Sequence, residues 1–141
     1  VDLSHLNNPR RVALGLEHNR LAMMLAVLHR QGGVALADHD VFINVVGGMR
    51  VTETGADLPM LLALYSSYRD APAVERMVCF GEVGLSGEIR PVYDGEQRLR
   101  EAASHGFNRA LVPAANLPRQ PIEGIEVVPL RNVGEALERL L

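Results

Sequence analysis

The chain contains no lysine, since all fourteen of its basic residues are arginine. This absence excludes a lysine base, a Schiff-base lysine and a phosphate-loop lysine within residues 1–141. Arginine makes planar, two-pronged contacts with phosphate or carboxylate and does not act as a base near neutral pH. The arginine-only composition is explained either by drift in a GC-rich source or by selection for phosphate contact.

Cysteine and aromatic residues are also scarce. Cys79 is the single cysteine, so neither an intrachain disulfide nor a cysteine-based zinc site can form. It lies in an apolar run, which favours a buried structural thiol over a nucleophile. Aromatic residues make up 4% of the chain and apolar residues 48%, so Leu, Val, Ala and Met must fill the core. A length of 141 residues fits one domain with a sizeable core.

The sequence has no signal-peptide pattern and no apolar run of transmembrane length. We therefore expect a reducing, cytoplasmic setting and no membrane partner. The net charge of −3 argues against a generally cationic nucleic-acid binder. Its distribution is uneven, because residues 1–31 hold four arginines against Asp2 and Glu17. A basic face near the start of the chain is therefore possible.

Strand-like and helix-like patterns alternate along the chain and predict an α/β fold of the α+β type. We expect a mixed sheet with one or two layers of helices. The predicted strands span residues 10–16, 41–46, 77–85, 88–92, 109–113 and 124–130. The predicted helices span residues 19–30, about 55–68, about 94–106 and 133–141.

Three polar residues are predicted to cap helices. Asp57 lies at or near the N-cap of the second helix, because Pro59 is tolerated only in a first turn. Asp94 and Asn132 are each followed three residues later by Gln or Glu, which is the capping-box spacing. The run 38–40 (Asp-His-Asp) could suggest a metal site, but three adjacent residues cannot easily close a coordination shell, so we expect a solvated turn.

The junction at residues 46–59 is the strongest candidate for function. An apolar strand ends there in Gly47 and Gly48 and leads through Arg50 into a helix start. Glycines let the backbone approach a partner, and a helix start offers free N–H groups.

Two segments of the sequence resemble the proteolytic domain of the Lon peptidase family. They are residues 44–58, with Asn-Val-Val-Gly-Gly at the start and Gly-Ala-Asp-Leu at the end, and the hairpin at 80–92, Phe-Gly-Glu-Val-Gly-Leu-Ser-Gly-Glu-Ile-Arg-Pro-Val. The resemblance covers about residues 11–141 and implies a Lon-like (ribosomal protein S5 domain 2-like) fold. Matches at 8–11 (Asn-Pro-Arg-Arg), 40–48 and 97–99 are closer to the Lon-like domain of the RadA family of bacterial DNA-repair ATPases. In that family strands precede the Asn-Pro-Arg-Arg segment, so we expect that residues 1–141 form one domain lacking the first strands.

The resemblance places two degenerate positions where Lon peptidases carry their catalytic dyad. Gly55 stands in the place of the serine nucleophile and Glu96 in the place of the lysine base. We therefore expect no peptidase activity. Ser66, Ser67 and Ser86 remain as alternative nucleophiles, but no base is paired with them by any pattern, so surface or packing roles are favoured.

The family resemblance implies a non-catalytic domain that binds double-stranded or branched DNA and scaffolds a hexameric ring in recombination and branch migration. Phosphate contacts are expected from Arg10, Arg11, Arg20 and Arg50, with surface ion pairs as the alternative, for Arg20 with Glu17. No cofactor is expected here; the family's ATP, Mg and Zn belong to regions absent from this sequence, which has no phosphate-loop motif. The implied partners are DNA, further copies of the chain, the recombinase RecA and the replicative helicase machinery. The alternatives are a pure oligomerisation scaffold and an atypical Lon-like serine peptidase.

Overall fold

Strands and helices alternate along residues 1–140, the part of the chain that the computed structural model describes. The strands are β1 Asp2–Leu3, β2 Arg11–Leu14, β3 His39–Asn44, β4 Met77–Cys79, β5 Glu82–Val83, β6 Ile89–Arg90, β7 Arg109–Pro113 and β8 Glu126–Leu130. The helices are α1 His18–Gly32, α2 Asp57–Arg69, α3 Gly95–Ser104 and α4 Val133–Leu140, with short 3-10 turns at Thr54–Ala56 and Ala114–Asn116. The predicted α/β class is confirmed. The last predicted helix included Leu141, which lies outside the described residues.

The strands form three small sheets rather than one. β1 runs antiparallel and β2 parallel to β3, which makes this sheet mixed as predicted. β4, β7 and β8 form a parallel sheet, and β5 and β6 form a hairpin. The predicted strand 77–85 breaks at Gly81, whose φ of 154° suits glycine alone. The Gly81 N–H donates to the Gly55 carbonyl (2.9 Å) and its carbonyl accepts from the Leu58 N–H (3.0 Å), so its backbone pairs with the start of α2.

Helix α1 forms because its apolar residues recur at helical spacing. Leu21, Met24 and Leu28 are fully buried along one side. Gly33 ends the helix in a left-handed conformation (φ 68°) and its N–H donates to the Leu28 carbonyl. The prediction of this helix and of its glycine stop is confirmed.

The core has two parts, one on each face of the parallel sheet. Leu111 of β7 belongs to the larger cluster, which α1, α2 and α4 cover. Its neighbours Ala110 and Val112 belong to a second cluster with Leu99 of α3. Successive residues of a strand point to opposite faces, so β7 contributes to both clusters and helices lie on both sides of this sheet.

The three predicted caps have different outcomes. Asn132 caps α4, since its Oδ1 accepts the Glu135 N–H at 2.9 Å, as predicted. Asp94 occupies the N-cap position of α3 as predicted, but its backbone is left-handed (φ 56°) and its side chain makes no capping hydrogen bond. A capping residue normally has an extended backbone, and the left-handed backbone of Asp94 does not direct its side chain at the free N–H groups of the first turn. The segment before α3 is held by Asn116, whose side chain accepts from the Val92 N–H (2.8 Å) and donates to the Val92 carbonyl (3.0 Å). Asp57 has no capping bond either and is described with the site below.

The first strand covers only part of β3. Asp2 lies opposite Asp40 and Leu3 opposite His39, so β1 borders the first two residues of β3. Within the described range, none of the helices has the length and apolar character needed to span a bilayer.

Candidate nucleic-acid interface

The glycine junction sits at the carboxyl ends of two parallel strands. β2 and β3 end side by side, and the Val45 N–H donates to the Leu14 carbonyl at 2.9 Å. Gly47 and Gly48 then take left-handed φ values of 82° and 69°, a turn that other residues adopt only with strain. The Val51 N–H donates to the Gly15 carbonyl at 2.7 Å and returns the chain to the body of the molecule. This turn brings the exposed Arg50 towards α1.

A pocket of about 280 Å³ opens beside the junction, and Arg20 and Arg50 both line it. Glu17, Glu53 and Thr54 line the same pocket. The structure therefore brings together two of the four arginines predicted to contact phosphate. It also places two carboxylates beside them, which weakens the local positive potential.

Arg20 forms a buried ion pair with Asp57. Its Nε donates to Asp57 Oδ1 at 2.7 Å and its second amino nitrogen donates to Oδ2. The Val83 N–H also donates to Oδ2 at 3.0 Å, and the carboxylate is fully buried. Loss of water raises the pKa of Asp57, while the bonds from Arg20 and Val83 oppose that rise. Asp57 thus links α1, α2 and β5 through its hydrogen bonds.

Two sequence expectations are corrected here. Asp57 was expected to cap α2. It is instead the first residue of the helix, and its carboxylate oxygens accept hydrogen bonds from the Arg20 guanidinium. The alternative partner of Arg20 was Glu17, but Glu17 instead accepts a long bond from Asn19 (3.5 Å).

Arg10 pairs with Asp40 across β2 and β3. Asp40 accepts the Arg10 backbone N–H at 2.7 Å and its guanidinium at 2.9 Å. These two bonds lower the pKa of Asp40 to about 2. A solvated turn was expected at 38–40, but only Asp38 lies in an exposed turn. His39 and Asp40 belong to β3, where Asp40 is buried and His39 Nδ1 lies 2.8 Å from Asp38. Within residues 1–140, no three metal-ligating side chains come together.

Arg11 directs its guanidinium at backbone carbonyls. It donates to the Arg10 carbonyl at 3.1 Å, to the Leu36 carbonyl at 2.6 Å and to the His39 carbonyl. Arg50, by contrast, is exposed and has no hydrogen bond or ion pair to any described residue. Of the four predicted arginines, Arg50 therefore keeps the most donors for a ligand.

Gly55 and Glu96, the two positions that the resemblance to Lon peptidases singled out, do not form a reactive pair. Gly55 is buried, and a Cβ there would lie 3.1 Å from both Glu53 Oε1 and Val92 Cγ1. Glu96 is exposed and pairs with Arg100 at 2.9 Å, one turn along α3.

Other hydroxyl and thiol groups near this region are also unactivated. Thr54 donates to the Glu82 carboxylate at 2.9 Å, and Ser66 donates to the Ala71 carbonyl. Burial raises the pKa of the Cys79 thiol to about 12, which keeps it protonated. Among residues 1–140, no serine, threonine or cysteine is hydrogen-bonded to a histidine.

Sequence reasoning missed Asp57 and Asp40 as partners of the arginines. Arg20 and Asp57 lie 37 residues apart, and Arg10 and Asp40 lie 30 apart, so no local spacing relates them. For Asp57 the sequence showed an acid two residues before the proline that marks a helix start, and that pattern favoured capping.

Residues 17–116 match the family model described as subunit ChlI of Mg-chelatase. The DNA repair protein RadA of Salmonella typhimurium is 61% identical over 137 residues, covering 97% of this chain and 30% of that protein. The Bacillus subtilis DNA repair protein RadA is 44% identical over 143 residues, covering the whole chain and 31% of that protein.

This chain therefore spans about a third of the length of the relatives it matches. The family model covers well over half of the chain, and the sequence identity extends almost from end to end. The chain belongs to the family described as subunit ChlI of Mg-chelatase, and it is homologous over nearly its whole length to part of the bacterial DNA repair proteins named RadA.

Proposed function

We propose that the chain is a non-catalytic, Lon-like domain that binds double-stranded DNA through arginine side chains and scaffolds a hexameric ring in recombinational DNA repair and branch migration. The observation that carries this proposal is its homology over nearly the whole chain to proteins named for DNA repair. The pocket at the glycine junction supports it, because two arginines line that pocket and no activated nucleophile does.

The four arginines contribute unequally in this proposal. Arg50 is exposed and has no partner among the described residues, so it makes the strongest phosphate contact. Arg10 follows, since 57% of its side chain is exposed although it pairs with Asp40. Arg20 has one amino group left after binding Asp57, and Arg11 is largely committed to carbonyls. Contacts of this kind read the phosphate backbone without sequence preference.

A single copy binds DNA weakly because Glu17 and Glu53 line the same pocket and the net charge is −3. A ring of six copies presents the same arginines repeatedly to one duplex. Binding of each further copy is then intramolecular, and the avidity exceeds the affinity of one copy.

The rest of the assembly belongs to the longer relatives in this proposal. An ATPase using ATP and Mg, a zinc-binding segment, and contacts with the recombinase RecA and the replicative helicase machinery lie outside residues 1–141. The proposed setting is the cytoplasm.

The test is duplex binding by mobility shift at low and at moderate salt. Arg50→Ala should weaken binding and reduce the slope of log affinity against log salt by roughly 0.9 for each lost phosphate contact. Arg50→Ala combined with Arg10→Ala should reduce both further. The matched control is Arg100→Ala, which removes an exposed arginine paired with Glu96 on α3.

Unchanged affinity and salt slope in the double variant would remove the DNA-binding assignment. Cleavage of unfolded casein by the wild-type chain that persists in a variant with all five serines replaced would instead indicate a peptidase with an unforeseen mechanism.

A further inference from the structure

A long groove on α1 is separate from the arginine pocket. It holds about 510 Å³, within the roughly 300–1,000 Å³ of typical binding clefts. Its apolar lining consists of small and aliphatic side chains: Leu21, Ala22, Leu25, Ala26, Leu36 and Ala37. The exposed Ala22, Ala26 and Ala37 have no side-chain bulk to fill it, so the groove can accept a large side chain from outside.

The polar residues of this groove favour a negatively charged occupant. Arg11, His18 and His29 line it and no acid does. The Arg11 guanidinium is held by carbonyl oxygens, so its charge has no carboxylate partner among the described residues. Helix α1 itself contains no Asp or Glu. The groove therefore suits an apolar side chain flanked by carboxylates.

The chain presents such a group elsewhere on its own surface. Tyr93 is 90% exposed, more than any other large hydrophobic side chain within residues 1–140. Asp94 follows in a left-handed conformation (φ 56°) with no capping bond, and Glu96, two residues further on, is exposed and pairs with Arg100 at 2.9 Å. An exposed tyrosine with acids beside it is the kind of side chain that anchors interfaces when it enters a pocket.

This acidic tip, residues 93–96, is held in place. The Arg98 Nε donates to the Tyr93 carbonyl at 3.0 Å. Asn116 bonds both the N–H (2.8 Å) and the carbonyl (3.0 Å) of Val92. Because the backbone is already fixed, docking of Tyr93 costs little conformational entropy.

We infer that the α1 groove of one copy receives Tyr93 and Asp94 of a second copy of this chain. Tyr93 enters among Ala22, Leu25 and Ala26, and the Asp94 carboxylate faces Arg11 and His18. The high exposure of Tyr93 shows that the tip does not occupy the groove of its own copy. The groove and the tip are different surfaces, so each copy offers one to each neighbour and the contact runs head to tail, as ring closure requires. This inference rests on the self-assembly in the proposed function and names its two surfaces.

Two substitutions at exposed positions disrupt the groove and the tip one at a time without disturbing the core. Ala26→Glu blocks the groove with bulk and with a charge that repels Asp94, and glutamate is a good helix former. Tyr93→Ser removes the anchor. The matched controls are Ala63→Glu on the exposed side of α2 and Leu85→Ser in the β5–β6 turn, where 68% of the leucine is exposed.

Analytical ultracentrifugation of the 141-residue chain measures the result. The wild type and both controls should form oligomers, and each groove or tip variant alone should associate at least about tenfold more weakly. An equimolar mixture of Ala26→Glu and Tyr93→Ser should form a dimer and stop there, because it retains one intact tip and one intact groove.

Three results would overturn the inference: a monomeric wild type at all concentrations, unchanged oligomers in the variants, or a mixture that stays monomeric. The DNA assay keeps the two proposals apart. A dimeric mixture of Ala26→Glu and Tyr93→Ser, together with duplex binding by otherwise wild-type oligomers that is unchanged in Arg50→Ala with Arg10→Ala, would support these surfaces and remove the DNA assignment. The opposite pattern would remove these surfaces and keep the DNA assignment.

Discussion

Two arginine–aspartate pairs lie at opposite ends of the first α/β unit and differ in their contact with water. Arg10 and Asp40 join β2 to β3, with 57% of the arginine side chain but only 7% of the aspartate side chain exposed. Arg20 and Asp57 join α1 to α2, with 25% of the arginine side chain exposed and none of the carboxylate. Both carboxylates also accept one backbone N–H. The pairs are therefore similar in bonding and different in desolvation.

That difference reverses the direction of the two pKa shifts. For Asp40 the backbone and guanidinium bonds of Arg10 dominate, and the pKa falls to about 2. For Asp57 the loss of water dominates, and the pKa rises. An arginine–aspartate pair supported by a backbone N–H thus favours the charged carboxylate in one place and only partly offsets its desolvation in the other. The difference in exposure also affects ligand binding, since the more exposed arginine can still donate hydrogen bonds to an anion from outside the molecule.

The largest effect is expected from breaking the buried pair. Arg20→Ala leaves the Asp57 carboxylate buried with only the Val83 N–H as a partner, and loss of one partner of a buried pair costs about 3–5 kcal/mol. Urea unfolding of the variant should show this loss in the free energy of unfolding.

A double variant serves as the control for that experiment. Arg20→Met with Asp57→Asn removes both charges and keeps an amide oxygen for the Val83 N–H. It should recover most of the stability, because no buried charge remains. A loss below about 1 kcal/mol in Arg20→Ala would mean that the pair is solvated like the exposed one.

A smaller effect is expected from breaking the exposed pair. Arg10→Ala removes the guanidinium, but the backbone N–H at position 10 still donates to Asp40. The side chain also lies over the Phe42 ring, with its guanidinium carbon 5.2 Å from the ring centroid, so some packing is lost. Unfolding in urea should show a clearly smaller loss than Arg20→Ala, and one that shrinks with added salt. Equal losses in the two variants would contradict the difference in desolvation.

Local patterns predicted the local features of this fold. Leu21, Met24 and Leu28 specify α1 by spacing alone, and Asn132 caps α4 through a residue three positions away. Gly33 ends α1 through its own left-handed backbone and a hydrogen bond to Leu28, five residues earlier. Each of these features depends on residues within about one or two helical turns.

Features that depend on distant residues were not predicted. Asp57 resembled a cap because its partner Arg20 is 37 positions earlier, on another helix. The break at Gly81 depends on bonds to Gly55 and Leu58, which only the packed hairpin brings near. At the site, the sequence identified Arg20 and Arg50 as candidate phosphate contacts. It did not show that they line one pocket with Glu17 and Glu53. Such contacts depend on how the helices and strands pack in three dimensions and not on any spacing along the chain.

The smallest effect is expected in the pH dependence of stability, where the two carboxylates should act with opposite sign. The pKa of Asp40 is lower in the folded state, so its stabilising contribution is present above its unfolded value of 3.8 and lost as the pH falls towards about 2. The pKa of Asp57 is raised, so its contribution is present below its unfolded value and lost as the pH rises through the folded one. Urea unfolding of wild type, Asp40→Asn and Asp57→Asn at a series of acidic pH values gives two difference curves. The wild-type advantage over Asp40→Asn should grow with rising pH, and that over Asp57→Asn should shrink. Curves of the same sign would show that the Arg20 and Val83 bonds outweigh desolvation at Asp57, and the contrast between the two pairs would then be one of degree only.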